Sequence, residues 1–183
     1  MCVKMDSNGQ QNIRDSVIIV QDTREQQPWK FISDKRCAAQ SVACLSEGDY
    51  TLADYPNLIC IERKKSPSEI ANNLGTNYTR FKNELERLRR YRFRYVVCEF
   101  TEEQLLIYPK GSKLPKWVLK RIKMSGKFLH HRIKELIDEY QIEFIFCEDK
   151  IEAKHTAIEL FLKAKDVCDK EQDSFRARRG TFE

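Results

Sequence analysis

The chain lacks any apolar run approaching the roughly 20 residues that a membrane-spanning helix requires. Its first sixteen residues are polar and have no apolar signal core, so secretion is not expected. There is no Cys-x-x-Cys pair, which argues against a zinc site. The seven cysteines (Cys2, Cys37, Cys44, Cys60, Cys98, Cys147 and Cys168) are odd in number and widely spaced. Several sit inside apolar runs, where a free thiol behaves as a small core residue. A reducing, intracellular setting is therefore expected, cytoplasmic or nucleoid, or nuclear in a eukaryote. The chain also lacks an internal repeat and any linker long enough to separate one domain from another. The expected organisation is a flexible polar leader over 1–16, a single domain over 17–167 and a flexible basic tail over 168–183 that includes Arg176, Arg178 and Arg179.

One local absence bears on function. From Lys110 to Lys134 there is no acidic residue, whereas nine lysines and arginines fall in that segment. With a net charge of +5 overall, the rest of the chain is therefore acidic by four. A concentrated basic patch suits a phosphate backbone, through ion pairing and counterion release. Lys113, Lys116, Lys120, Arg121, Lys123 and Lys127 are the candidate contacts. A solvated basic helix face with Trp117, Val118, Ile122, Phe128 and Leu129 turned to the core is the plain alternative. The two arrangements are compatible.

What is present points to strands alternating with helices, a mixed sheet covered by helices. Val17 to Val20 has the composition of a buried strand and runs into Asp22-Thr23-Arg24-Glu25. A strand end fixes the backbone and projects charged groups, so Asp22 and Glu25 are candidate metal-site acids and Arg24 a candidate phosphate contact. Phe31 to Leu45 is ambiguous, with Val42 to Leu45 the best strand within it. Gly48-Asp49-Tyr50 follows, and Asp54 to Asn57 is a turn by composition, which makes a hairpin into Leu58–Ile61 plausible.

Side chains two apart on a strand share a face, so Glu62 and Lys64 point one way and Ile61 and Arg63 the other. If the flanking strands pair, Asp49, Glu62 and Lys64 can converge. Two adjacent carboxylates repel unless a proton or cation lies between them. A hard divalent ion is a natural solution, and a lysine beside it can orient or deprotonate a bound water, the equipment of phosphodiester hydrolysis. Taken singly, a charged strand tip and a Gly-Asp turn are ordinary surface features.

Further along, Ser66-Pro67-Ser68-Glu69 reads as a capped helix start, and Tyr78, Phe81, Leu85 and Leu88 as the apolar stripe of an amphipathic helix. Tyr95 to Phe100 is a clear strand. Thr101 to Gln104 opens a short helix with a capping box. Phe128 to Tyr140 is a helix, Ile142 to Phe146 a strand, and Ile151 to Lys165 a closing helix.

In this order, Asp22-Thr23-Arg24-Glu25, Gly48-Asp49-Tyr50, Glu62-Arg63-Lys64, Arg80-Phe81 and Val97-Cys98-Glu99 resemble the XPF-type nuclease domain. The resemblance covers Val17 to Glu99 well and is less specific beyond. It implies a restriction-endonuclease-like α/β fold, with a mixed sheet flanked by helices. It also implies an endonuclease that uses Mg2+ or Mn2+ to cut branched or irregular DNA. By the same resemblance, Asp49 and Glu62 bind the metal, with the Arg63 main-chain carbonyl as a further ligand. Lys64 acts on the attacking water, Asp22 and Glu25 complete the acidic cluster, and Arg24 holds phosphate. Ser68 stands where such domains usually carry an aspartate, with Glu69 next to it. A homodimer or a partner subunit is implied as well. Two other functions fit the sequence: a non-catalytic DNA-binding scaffold subunit, and a nuclease of the same fold acting on RNA.

Overall fold

The computed structural model describes residues 16–55, 57–112 and 114–179, with the side chains of 178 and 179 outside the description. Nearly all of the expected leader, Lys113, and the side chains of Arg178 and Arg179 thus lie outside the described residues.

Six strands form one sheet: β1 (Val17–Asp22), β2 (Cys37–Ala43), β3 (Tyr50–Leu52), β4 (Ile59–Lys64), β5 (Phe93–Cys98) and β6 (Glu143–Phe146), in the order β2-β1-β3-β4-β5-β6. The centre is antiparallel, with β3 between β1 and β4. The flanks are parallel: β2 beside β1, then β5 and β6 beyond β4. The expected hairpin from Gly48-Asp49-Tyr50 into the Glu62 strand is the β3–β4 pair. The Phe31–Leu45 ambiguity resolves into a strand that starts at Cys37, earlier than expected. Its Cys-Ala-Ala-Gln-Ser-Val-Ala sequence has no apolar alternation because it is an edge strand, and Val42 is exposed.

The helices are α1 (Pro67–Leu74), α2 (Tyr78–Leu88), α3 (Glu102–Leu106), α4 (Lys116–Leu119), α5 (Gly126–Tyr140) and α6 (Lys150–Arg179). Ser66 caps α1 as expected, its hydroxyl accepting from the Glu69 amide at 3.3 Å. The second half of the expected box differs: the Glu69 carboxylate accepts from the Lys65 amide, not that of Ser66. At α3 both halves of the Thr101/Gln104 box form. α6 continues to Arg179, beyond the Lys165 end read from sequence, so residues 168–179 of the expected flexible tail are helical instead.

Two apolar layers sandwich the sheet. On one side α1, α2, α3 and α5 bury Ile70, Phe81, Leu85, Leu105, Leu129 and Ile133 against Cys60, Val96 and Cys98. On the other, α6 and the Trp29–Phe31 loop bury Ala157, Ile158 and Phe161 against Ile19, Tyr50, Ile59 and Ile61. Trp29 stacks on Tyr50 at 5.0 Å between centroids, and Phe31 meets both rings edge-on. Each such ring contributes about 2–3 kcal/mol by burial. That aromatic cluster fixes the hairpin on which the site stands.

Candidate active site

β4 alternates strictly. Ile59 and Ile61 enter the α6 layer, while Cys60 enters the α1/α2 layer. Glu62 and Lys64 continue the Cys60 face, and Arg63 turns beneath the sheet. There its guanidinium lies 5.3 Å from the Trp29 ring centre and bonds Glu99 at 2.7 Å, Glu25 at 3.3 Å and the Gln27 carbonyl at 2.5 Å. Glu99 also accepts from the Trp29 indole at 2.6 Å. The Arg63 side chain is therefore a strut of the opposite layer.

Asp49 is placed by backbone. Its amide donates to Ile61 at 2.9 Å and its carbonyl accepts from Asp22 at 2.8 Å, tying it to both neighbouring strands. Gly48 before it has φ +68, and a Cβ there would collide with Cys60 Sγ and press on the Ile61 carbonyl. Only glycine allows the chain to turn so close to β4. The Asp49 carboxylate then reaches across, accepting from the Arg63 main-chain amide at 2.8 Å. The observed link between Asp49 and Arg63 is thus through that amide.

Asp49, Glu62 and Lys64 face a cleft of about 390 Å³ whose far wall is α1, α2 and their junction. Lys64 Nζ bonds Glu62 at 2.7 Å, lies 3.7 Å from Glu69 and sits 5.2 Å over the Phe81 ring. Glu84, from α2, also lines the cleft and its charge adds to the push on Glu62. The Asn73 side-chain oxygen, on the cleft wall, is buried without a partner.

Burial, reinforced by the Glu62 charge, pushes Asp49 up from 3.8 to about 8. Burial does the same to Glu62, raising it from 4.5 to about 7 despite the Lys64 charge. Burial works against the Lys64 cation, but the Glu62, Glu84 and Glu69 carboxylates outweigh it and hold the ammonium above its ordinary range. The cleft is thus an acceptor-rich pocket in which Lys64 is the cation held against Glu62.

The remaining expected site residues are distributed differently. Asp22 is fully committed: its carboxylate accepts from the Arg24 amide and guanidinium and from the Leu45 amide. Burial would raise its pKa, but these bonds outweigh it and hold the carboxyl below its ordinary value. Arg24, so anchored, projects into solvent at the cleft rim. Glu25 pairs with Arg63 and with Lys65 at 3.1 Å. Both acids line the cleft, yet their oxygens face basic partners. Ser68 is not among the residues that line the cleft, whereas Glu69 is. Among the described residues, no three His, Cys, Asp or Glu side chains are gathered into a ready-made metal cage.

Lys116, Lys120, Arg121, Lys123 and Lys127 are all exposed. Trp117 and Phe128, offered as core residues in the alternative reading of this segment, are exposed too, while Leu129 is buried and Ile122 packs on the core. Sequence reasoning missed the roles of Glu47, Glu84 and Asn73. Glu84 lies one helical turn after Arg80, and both line the cleft; that spacing was the available signal. Glu47 is buried at the rim and faces Arg87 at 3.9 Å and Arg90 at 3.5 Å.

A mixed sheet carrying an acid–lysine pair on its central hairpin strand, with helices on both faces, defines the restriction-endonuclease-like class. Residues 21–157 match the ERCC4 domain, most of the chain, and the protein belongs to the ERCC4-domain family. XPF from Aeropyrum pernix is a structural neighbour at TM-score 0.55 and 20% identity, covering 82% of this chain and 61% of that one. The same protein in a complex with DNA aligns at TM-score 0.55 and 21% identity, covering 85% of this chain and 66% of that one. The chain thus spans about three fifths of the first XPF chain's length. Among curated proteins none matches.

Proposed function

We propose that this domain is a divalent-cation-dependent DNA endonuclease acting at branched or irregular DNA. The observation that carries the reading is the Asp49–Glu62 pair: a half-buried and a buried carboxyl raised together, facing a lysine in an open cleft. Their oxygens, with the orphaned Asn73 oxygen near by, are the hard donors that suit Mg2+ or Mn2+. Such an ion supplies charge neutralisation and an acidified water when bound.

The chain's own residues divide the rest. Asp49 and Glu62 supply the cation's ligands, and the Arg63 amide keeps Asp49 aimed. Lys64 stays charged, so it serves as a donor that orients the attacking oxygen and offsets charge gathering on the phosphate. Arg24 at the rim and the exposed basic residues after Pro115 hold the flanking backbone.

The engaged Asp22 and Glu25, with Ser68 outside the cleft lining, favour a second reading: a DNA-binding scaffold subunit that does not cut. Matched fork, flap, duplex and RNA substrates, with Mg2+, Mn2+ or chelator, separate the two. The nuclease reading expects cation-dependent cuts near DNA junctions. It also expects Lys64→Ala to slow single-turnover cleavage about 10²–10³-fold while DNA binding is kept. Salt-sensitive binding with no cleavage under either ion would establish the scaffold reading instead.

A further inference from the structure

Trp117 is 64% exposed, although an indole is among the largest apolar groups a chain can bury. The chain's other tryptophan, Trp29, is fully buried and bonded to Glu99. Trp117 sits on α4, a helix of 4 residues. The Arg121 guanidinium lies 5.5 Å from its ring centre. One face is thus braced by a cation, and the ring remains open enough for a second planar group. Lys116, Lys120 and Lys123, within six residues of it in the chain, are exposed as well.

The position of this segment matters as much as its charge. Ile122 and Met124 pack on the same apolar layer that underlies the cleft. Met124 presses its methyl on Gly75 so closely that a Cβ there would come within 2.6 Å. Gly75 joins α1 to α2, and Asn73 and Asn77 on either side of it line the cleft. The basic segment is therefore docked directly behind the cleft wall.

We propose that Trp117, backed by Arg121, is a stacking platform for an unpaired base of single-stranded DNA leaving the cleft; this rests on the reading that the cleft holds DNA. Aromatic rings inside a cationic groove bind single strands in this way, because every base has a π face while the lysines take the phosphates. The charge argues against a second copy of this chain as the occupant, since two such segments would bring cation against cation. The platform also supplies a reason for preferring junctions, where unpaired bases are available.

The test uses the whole chain in chelator, so that nothing is cut. Tryptophan fluorescence is followed while an oligothymidine of about ten nucleotides, or an abasic strand of equal length, is added. Thymidine should quench the exposed tryptophan and the abasic strand should not, although both bind. Trp117→Phe should abolish the quenching and retain binding within about threefold, whereas Trp117→Ala should weaken oligothymidine binding roughly tenfold without changing its salt slope. Equal quenching by both strands, no quenching, or wild-type affinity in Trp117→Ala overturns the platform. So does a fluorescence change that follows protein concentration alone, which would place a second copy there. If the platform fails while the wild-type protein still cuts forks, only this inference falls; quenching in a protein that cuts nothing leaves the platform and removes the nuclease reading.

Discussion

Asp49 shows how one side chain can tie stability to function. Its carboxyl is raised to about 8 in the fold, chiefly by burial, against 3.8 ordinarily. A raised acid binds more protons folded than unfolded between those values, so stability falls as pH climbs from about 4 to about 8. Asp49→Asn keeps an oxygen for the Arg63 amide and removes the charge. The variant should match the wild type near pH 4 and exceed it at pH 8 by about 5 kcal/mol, from a rise of about four pH units at about 1.4 kcal/mol each, or roughly 10–20 °C in Tm. Melting curves across that range check this; a wild type that gains stability toward pH 8 relative to the variant would show the carboxylate to be solvated or paired. The Glu62–Lys64 contact was legible in sequence, because alternation along a strand is local. Glu84 and Asn73 were not, since they arrive from helices whose approach depends on packing. The engagement of Asp22 by Arg24 and Leu45 was equally hidden: the acids were visible, but not which partners would claim them.

Among elements, the β3–β4 hairpin does most to set the site. Gly48 at φ +68 lets Asp49 approach β4, and its missing Cβ leaves room for Cys60. Gly48→Ala combines left-handed strain with overpacking and should destabilise by about 2–4 kcal/mol. Chemical denaturation measures the loss, and a change under 1 kcal/mol, order of magnitude, would show that the hairpin yields easily. Hairpin, capping residues and the apolar stripes of α2 and α5 could be read because their signals lie within one element. β2 could not, as an edge strand needs no apolar alternation. The basic segment gave the opposite error. Of its apolar residues read as a possible core face, Ile122 and Leu129 do join the core, but α4 is too short to bury a stripe, and Trp117 is left in solvent.

Over the whole molecule, acids and basic residues share the cleft lining, whereas the segment packed behind its wall carries exposed cations and no acid. That distribution lets a phosphate backbone be attracted by one region and processed in another. Replacing Lys116, Lys120, Lys123 and Lys127 with Gln should lower the salt slope of DNA binding by about 0.9 for each phosphate no longer neutralised, while fork cleavage at saturating protein persists. An unchanged slope would place the backbone elsewhere. Among the described residues no helix is long and apolar enough to cross a membrane. The central claim is that Asp49 and Glu62 together make a cation site, and Mn2+ calorimetry on the metal-free protein tests it most directly. The account predicts binding that tightens from pH 6 to pH 9 as the two acids ionise, and its loss in both Asp49→Asn and Glu62→Gln. Binding that is independent of pH, or that survives both substitutions, would contradict it.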